Sequence, residues 1–434
     1  MSDFTLTEEQ QKQLVGLTQS KDAQIMHRAQ LILAYAEGKP TMQASLQAGI
    51  SRGRARFWKR QFIARGMEIF DRESEANLSE GTAEQVIKPS EVELVEAVDQ
   101  EHLLKSEGIK ELSYPALQKT IGLTPDDSLA EAGKKVWLYH FAVMLSHEQG
   151  TLLGEDIEEL HDMRVATRRM RSAFDLFGPA FEAKKLNRYL KGLRAIGGAL
   201  GQVRDLDVIY EKGLKYQENL SVGKRPGLDP LLEEWNQNIA EMREKLIKHM
   251  QSEAYGQFKT SFNKFLQSPE EPERSGRPEI EATRRIRDIV PVILYNRYAQ
   301  VRGYDAILLS ASVEQLHALR IEFKKFRYAL EYFREILDEG AGKAINEIKQ
   351  YQDHLGEMHD ADVACQLVSD FLKDWDEKQS HTPIAERGNP QPIVTYLAYL
   401  HAERYRLIGT FPALWQKFNR VEFRHNLSQI ISQL

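Results

Sequence analysis

The segment Leu160-His161-Asp162-Met163-Arg164 through Arg168-Arg169-Met170-Arg171 recurs 156 residues further on as Leu316-His317-Ala318-Leu319-Arg320 through Lys324-Lys325-Phe326-Arg327. A second pair follows it at an offset of 155: Leu200-Gly201-Gln202-Val203-Arg204-Asp205-Leu206-Asp207-Val208 matches Leu355-Gly356-Glu357-Met358-His359-Asp360-Ala361-Asp362-Val363. Two independent matches at nearly one offset mark an internal duplication. Leu138-Tyr139 and Leu294-Tyr295, again 156 apart, extend the unit one helix upstream. From Ser128 onward apolar residues fall at i, i+3, i+4, i+7 with no sustained alternation of period two, so both copies are helical. The expected fold class is all-α: two related bundles of about four helices, repeat 1 over about residues 128–265 and repeat 2 over about 280–425, preceded by a small helical N-terminal domain. Breaks are expected at Gly178-Pro179, at Val222 to Gly227, at Ser268 to Pro278 and at Thr382 to Pro392.

Upstream, residues 1–72 are helical in period and end in Arg52, Arg54, Arg56, Lys59, Arg60 and Arg65. Residues 73–127 read as an acidic connector punctuated by Pro89, Pro115 and Pro125. Between Glu73 and Glu131 fourteen acids face four lysines, which leaves 54 basic against 50 acidic residues for the rest of a chain whose net charge is −6. Segregation of this kind makes net charge a poor guide to partners. The single cysteine, Cys365, excludes an internal disulfide and a Cys-rich zinc module and fits a reducing compartment. It reads as a small buried apolar residue. The polar, acidic start lacks the basic and apolar regions of a signal peptide. The most apolar stretch, Val136 to Leu145, is too short for a bilayer of about 30 Å. No membrane partner is expected, and the expected location is cytoplasmic.

Placed on a helix at about 100° per residue with His161 at 0°, Arg164, Arg168 and Arg171 fall at roughly 300°, 340° and 280°. Met163, Ala166, Met170, Ala173, Phe174 and Phe177 occupy the opposite side, which is the expected core face. His317, Arg320, Lys324 and Arg327 form the same stripe in the second copy, opposite Leu319, Phe326, Ala329, Leu330 and Phe333. Like charges at these spacings cost a few tenths of a kcal/mol per pair. A solvated face usually mixes signs, so an unmixed stripe of about 15 Å implies a counter-charge from outside, and its length favours an extended polyanion over one small phosphate. Arg169, Lys184, Arg188, Lys191 and Arg194 add a second set of basic positions in the first half. Lys325, Lys343 and Lys349 are their sparser counterparts in the second.

Asp205 and Asp360 read as positioning groups that accept from neighbouring cations, since a carboxylate touching phosphate would repel it. Glu322, at the edge of an apolar face, is expected to pair with a nearby Arg or Lys. For His161 and His317, helix packing or capping is the plain alternative. Metal ligation lacks a partner at ligand spacing on either helix, and donation to a phosphate oxygen fits better. His354 and His359, five apart, share no helical face. No metal or other cofactor is expected.

The run His161-x-x-Arg164-Val165-Ala166-Thr167-Arg168-Arg169-x-Arg171, the run Leu200-Gly201-x-x-Arg204-Asp205-x-Asp207-Val208 and their second copies resemble the conserved-histidine α-helical, or CHAD, domain over roughly residues 128–425. The resemblance implies two four-helix bundles related by a pseudo-twofold axis and a basic groove that binds inorganic polyphosphate without catalysis. It carries the binding role to His161, Arg164, Arg168, Arg171, Arg204, His317, Arg320, Lys324 and Arg327. His359 stands where the family places an Arg or Asn, and Lys324-Lys325 replaces the Arg168-Arg169 of the first copy. Lysine keeps the charge and loses bidentate phosphate binding. Location at polyphosphate granules would follow from such a ligand. A triphosphate-processing Glu-x-Glu-x-Lys strand, which often precedes this domain, has no counterpart; Glu91-Val92-Glu93 is followed by Leu94-Val95.

Residues 1–72 resemble a helix-turn-helix of the transposase type through Arg28 to Ala34, Ala44 to Ser51, and Arg54 to Arg65 with Trp58 and Gly66. Ser51 is a candidate N-cap and Arg52, Arg54 and Arg56 would open a recognition helix, with Gly53 a departure. The leading expectation is non-catalytic polyphosphate binding. A DNA-binding regulator with polyphosphate as effector is the alternative. An enzyme acting on phosphoanhydrides, which lacks a metal-binding carboxylate cluster, ranks last.

Overall fold

A computed structural model of the chain describes residues 6–20, 23–39, 66–70, 114–154, 156–268, 284–432 and 434, together with Ala44, Gln47, Ala48, Gly49, Ala55, Trp58, Lys59 and Phe62. These fall into two compact units, one drawn from Met1–Tyr114 and Leu145–Met163, the other from Pro115–Met144 and Arg164–Leu434. Among the described residues the regular structure is helical, with one isolated antiparallel bridge, Ser128 to Arg285, and no strand.

In the first unit α1 (Glu8–Leu17) starts at a capping box in which Thr7 and Gln10 satisfy each other's backbone amides. Helix α2 (Ala23–Ala36) lays Ile32 and Tyr35 into a core with Leu14, Trp58, Phe62 and Ile69. Arg28 is buried there: its guanidinium stacks 3.8 Å from the Trp58 ring and donates to the Ile69 carbonyl at 3.2 Å. Gly49 takes φ +67, a left-handed position open to glycine, within the Ala44 to Ser51 stretch of the helix-turn-helix resemblance. Ser51, Arg52, Gly53, Arg54, Arg56, Arg60 and Arg65 lie outside the described residues, as do residues 73–113 of the acidic connector.

Ten helices follow the duplicated sequence, with a short α4 (Glu148–Leu153) in the first unit. The first half holds α3 (Leu129–Ser146), α5 (Ile157–Phe177), α6 (Ala183–Glu218), α7 (Asp229–Met250) and α8 (Glu253–Gln267). The second holds α9 (Ile286–Arg302), α10 (Val313–Tyr332), α11 (Ala341–Ser380), α12 (Gln391–Phe418) and α13 (Val421–Ile431). Each half is thus four long helices with a shorter fifth at its end. Three of the expected breaks carry 3-10 turns, at Gly178–Ala180, Val222–Leu228 and Ile384–Glu386. The first helices of the two halves begin side by side, because Leu129 N–H donates to the Arg284 carbonyl at 3.0 Å and Ile286 N–H to the Asp127 carbonyl at 2.9 Å.

Within the second unit aromatic rings fill each half: Trp137, Phe174 and Phe262 in the first, Phe323, Tyr351 and Phe418 in the second. Phe177 then meets Tyr332 and Phe333 at centroid distances of 6.1 and 5.8 Å, sealing the halves together beside α5 and α10. A second shared core lies at the far ends of the long helices, where Ile209, Leu231 and Trp235 pack with Val368, Phe371 and Tyr396. Burying large apolar side chains at roughly 1.5–3 kcal/mol each makes these two seams the main hold on the orientation of one half against the other. The chain leading into α3 is fastened as well: Ile121, Gly122 and Leu123 N–H groups all donate to the Glu335 carboxylate.

Candidate functional site

The apolar faces fall where the periodicity puts them. Ala166, Met170, Ala173, Phe174 and Phe177 of α5 are buried, and so are Leu319, Phe326, Ala329, Leu330 and Phe333 of α10. Burial of those stripes turns the opposite faces outward from each bundle, and in the second unit the two cationic faces meet. Arg168 Nε of α5 donates to the Tyr328 hydroxyl of α10 at 2.7 Å. The Lys324 ammonium is pushed down to about 8, first by burial and then by Arg168, Arg320, Arg171 and Lys325. Arg320 is held below its ordinary value by burial and by Arg168, with Asp360 and Asp205 opposing. Arg164 is lowered by burial, Arg168 and Arg204 against Asp205, and Arg171 by burial and Arg194 against Asp175. Arg164, Arg168, Arg171, Arg194, Arg204, Arg320 and Lys324 therefore form one electrostatic cluster fed by both copies of the motif.

The long helices supply its floor. Arg164 Nη2 donates to Asp205 Oδ1 of α6 at 2.8 Å, and Lys212 Nζ of α6 reaches Asp360 Oδ2 of α11 at 3.0 Å. Asp205 and Asp360 hold cations, as expected of positioning groups. Glycines lie under these side chains: a Cβ on Gly201 would sit 3.7 Å from Arg164 Nε and one on Gly356 3.9 Å from Arg320 Nε, both ordinary contact distances, while one on Gly197 would press on Thr167 Cγ2 at 3.2 Å beside Arg171 Nη1 at 3.4 Å. The guanidinium groups lie across the long helices at matched places in the two halves. Arg204 Nη1 is buried, and among the described residues nothing accepts from it. Leaving such a donor unmet costs about 1–3 kcal/mol.

His317 Nδ1 lies 3.2 Å from His359 Nδ1, with ring centroids 4.4 Å apart. One nitrogen must donate and the other accept, so one ring in the pair is neutral at Nδ1. Burial, with Arg320 and Lys324 beyond it, lowers His317, while burial, Arg320 and His317 lower His359; Asp362 opposes both and Asp360 opposes the second.

Several sequence-predicted positions lie elsewhere. Arg327 is buried, its Nη1 lies 3.6 Å from Glu331 Oε1, and its charge is met by the protein's own acid. Glu331 lies one turn on along the same helix and also accepts from Arg169 Nη2 at 2.9 Å, so both guanidinium groups belong to the seam between α5 and α10. Lys325 pairs with Glu322 at 2.8 Å, the pairing expected of that acid. Lys184, Arg188 and Lys191 are exposed on α6, Arg188 folding onto the Tyr189 ring, and Lys343 and Lys349 are exposed on α11. His161, half-buried, belongs to the first unit.

Sequence reasoning missed Tyr328, Glu331, Lys212 and the glycines. Glu331 had a readable signal, its i+4 spacing from Arg327. Tyr328 had none, since Ser172 occupies its place in the first copy. The second aspartate of each motif meets an arginine of the following long helix. Arg404 Nη1 donates to Asp362 Oδ1 at 2.6 Å. Asp207 is raised to about 6 by burial, with Arg204 and Arg243 opposing and Glu211 adding. Cys365 is buried and its thiol is pushed up by that burial, which makes it an apolar filler. Among the described residues no three His, Cys, Asp or Glu side chains gather as metal ligands, and no helix is long and apolar enough to cross a membrane.

The family model of the CHAD domain matches residues 135–369, and that of a helix-turn-helix domain matches residues 27–68. No curated protein matches the chain. Among solved structures, the crystal structure of the CHAD domain from the plant Ricinus communis is similar at a TM-score of 0.50 and 19% identity, over 73% of this chain and 96% of that one. PptA from Streptomyces chartreusis is similar at a TM-score of 0.49 and 15% identity, over 67% of this chain and 99% of that one. The CHAD match covers more than half of the sequence and both copies of the motif, so this all-α chain belongs to the CHAD domain family.

Proposed function

We propose that the protein binds inorganic polyphosphate, without chemical turnover, in the cleft between α5 and α10. The observation that carries this reading is the convergence of Arg168, Arg171, Arg320 and Lys324, where burial first and the neighbouring cations second bring the Lys324 ammonium down to about 8. A cluster of that kind is electrostatically strained until a polyanion enters it, and charge-assisted hydrogen bonds to phosphate oxygens would relieve both the repulsion and the unmet donor on Arg204. Arginine dominates the set, which suits bidentate recognition of phosphate. Association with cytoplasmic polyphosphate stores is part of this proposal.

Titrating the full-length chain with orthophosphate and with phosphate polymers of graded length tests this. Affinity should rise with length and fall steeply with salt, as counterion release dictates for polyanions. Equal affinity for orthophosphate and long chains would overturn the reading. Phosphate release over time, with and without Mg²⁺, should stay at background.

A second reading has its own observation. The helix-turn-helix match over residues 27–68, within which Gly49 takes φ +67, favours a DNA-binding regulator for which polyphosphate is the effector. A shift assay of the full-length chain against genomic fragments at low salt tests it, and no retardation would retire it.

A further inference from the structure

Helix α6 holds two adjacent glycines near its middle, and only one has a packing reason. A Cβ on Gly197 would meet Thr167 Cγ2 at 3.2 Å and Arg171 Nη1 at 3.4 Å. A Cβ on Gly198 would meet no atom within 4 Å, and the residue is helical and exposed. Glycine inside an exposed helix costs roughly 1 kcal/mol relative to alanine, so the fold alone gives no account of it. On the helical wheel Gly198 shares a face, within roughly 60°, with Arg194, Gly201 and Asp205. Arg194 presses on Arg171, Gly201 underlies Arg164, and Asp205 holds Arg164. Gly198 is therefore a bare patch of backbone between the two arginines that α5 sends across α6.

The corresponding position in the second half, 155 residues on, is Asp353, exposed on α11 and four residues from Lys349. A carboxylate there repels an anionic chain, where Gly198 opens the helix surface to one.

We infer that the polyphosphate chain lies asymmetrically, over the first-half floor of α6, and that Gly198 is a specificity-determining residue that lets the chain pass close to the helix, with Asp353 closing the equivalent path on α11. This deepens the reading above and rests on it. The absence of a side chain selects for a thin, unbranched, densely charged chain and against bulkier polyanions whose backbone carries sugars or side chains.

Matched substitutions in the full-length chain test it. Gly198→Gln and Asp353→Gln put the same neutral, helix-favouring side chain at the two equivalent places. Open space at Gly198 allows the change to fold, and helicity and thermal stability check that it does. Expected is a loss of at least about tenfold in affinity for long polyphosphate with Gly198→Gln, and unchanged or tighter binding with Asp353→Gln. Affinity of Gly198→Gln within about twofold of the unsubstituted protein, or equal losses in both variants, would overturn the asymmetric path while leaving polyphosphate binding standing. Failure of the unsubstituted protein to bind would sink the functional reading itself.

Discussion

The two halves of the CHAD domain contribute unlike cations to one electrostatic cluster. From the first come Arg164, Arg168, Arg171 and Arg204, permanent charges laid over a helix floor made bare by Gly197, Gly198 and Gly201. From the second come Arg320 with Lys324, whose ammonium is held at about 8, and a histidine pair in which one ring is neutral at Nδ1. Arg327, the counterpart of Arg171, is withdrawn to Glu331. The apolar faces of α5 and α10 are both buried, with Glu322 standing on α10 where α5 has Ala166. The charged faces have diverged because each residue there answers to one or two local partners.

The sharpest way to break the comparison is to reverse the same position in each half. Arg327→Glu puts an acid in the buried place of Arg327, beside half-buried Glu331, and should cost about 3–5 kcal/mol in urea unfolding, the penalty of an uncompensated buried charge. Arg171→Glu should leave unfolding nearly untouched and weaken long-chain polyphosphate binding by about tenfold, or about 1.4 kcal/mol, read by titration. Equal effects on stability would mean the halves are equivalent after all.

A smaller effect separates fixed from titratable charge. With Lys324 held near 8 in the free protein, ligand binding draws in a proton, so affinity should fall several-fold as pH rises from about 7 to 9. Lys324→Arg should flatten that profile, because guanidinium does not titrate there. In the free protein the sign is opposite. Unfolding returns Lys324 toward an ordinary value near 10.4, so the unfolded chain binds more protons between those values and stability should rise with pH across that window. Lys343→Ala and Lys349→Ala, exposed on the second-half floor, should change affinity by less than about twofold.

Much of this was legible in the sequence. The all-α fold and the apolar faces of α5 and α10 follow from a period of 3.6, because interior packing enforces periodicity. The charged stripe was legible as a set of positions, and its partners were not. Arg327 and Arg171 occupy matching places, yet Glu331 and Tyr328 decide that one is buried, and Tyr328 has no counterpart in the first copy. The His317–His359 contact joins residues 42 apart on different helices, so no reading of one helical face could find it.

The account stands or falls on a single titration, of the full-length Arg168→Glu, Lys324→Glu double variant against long-chain polyphosphate at low salt, with circular dichroism recorded alongside. Both residues lie where the two motif helices face each other, so the double reversal should abolish binding while helicity is retained. Retained binding by a folded double variant would place the ligand on some other surface and contradict the shared cleft.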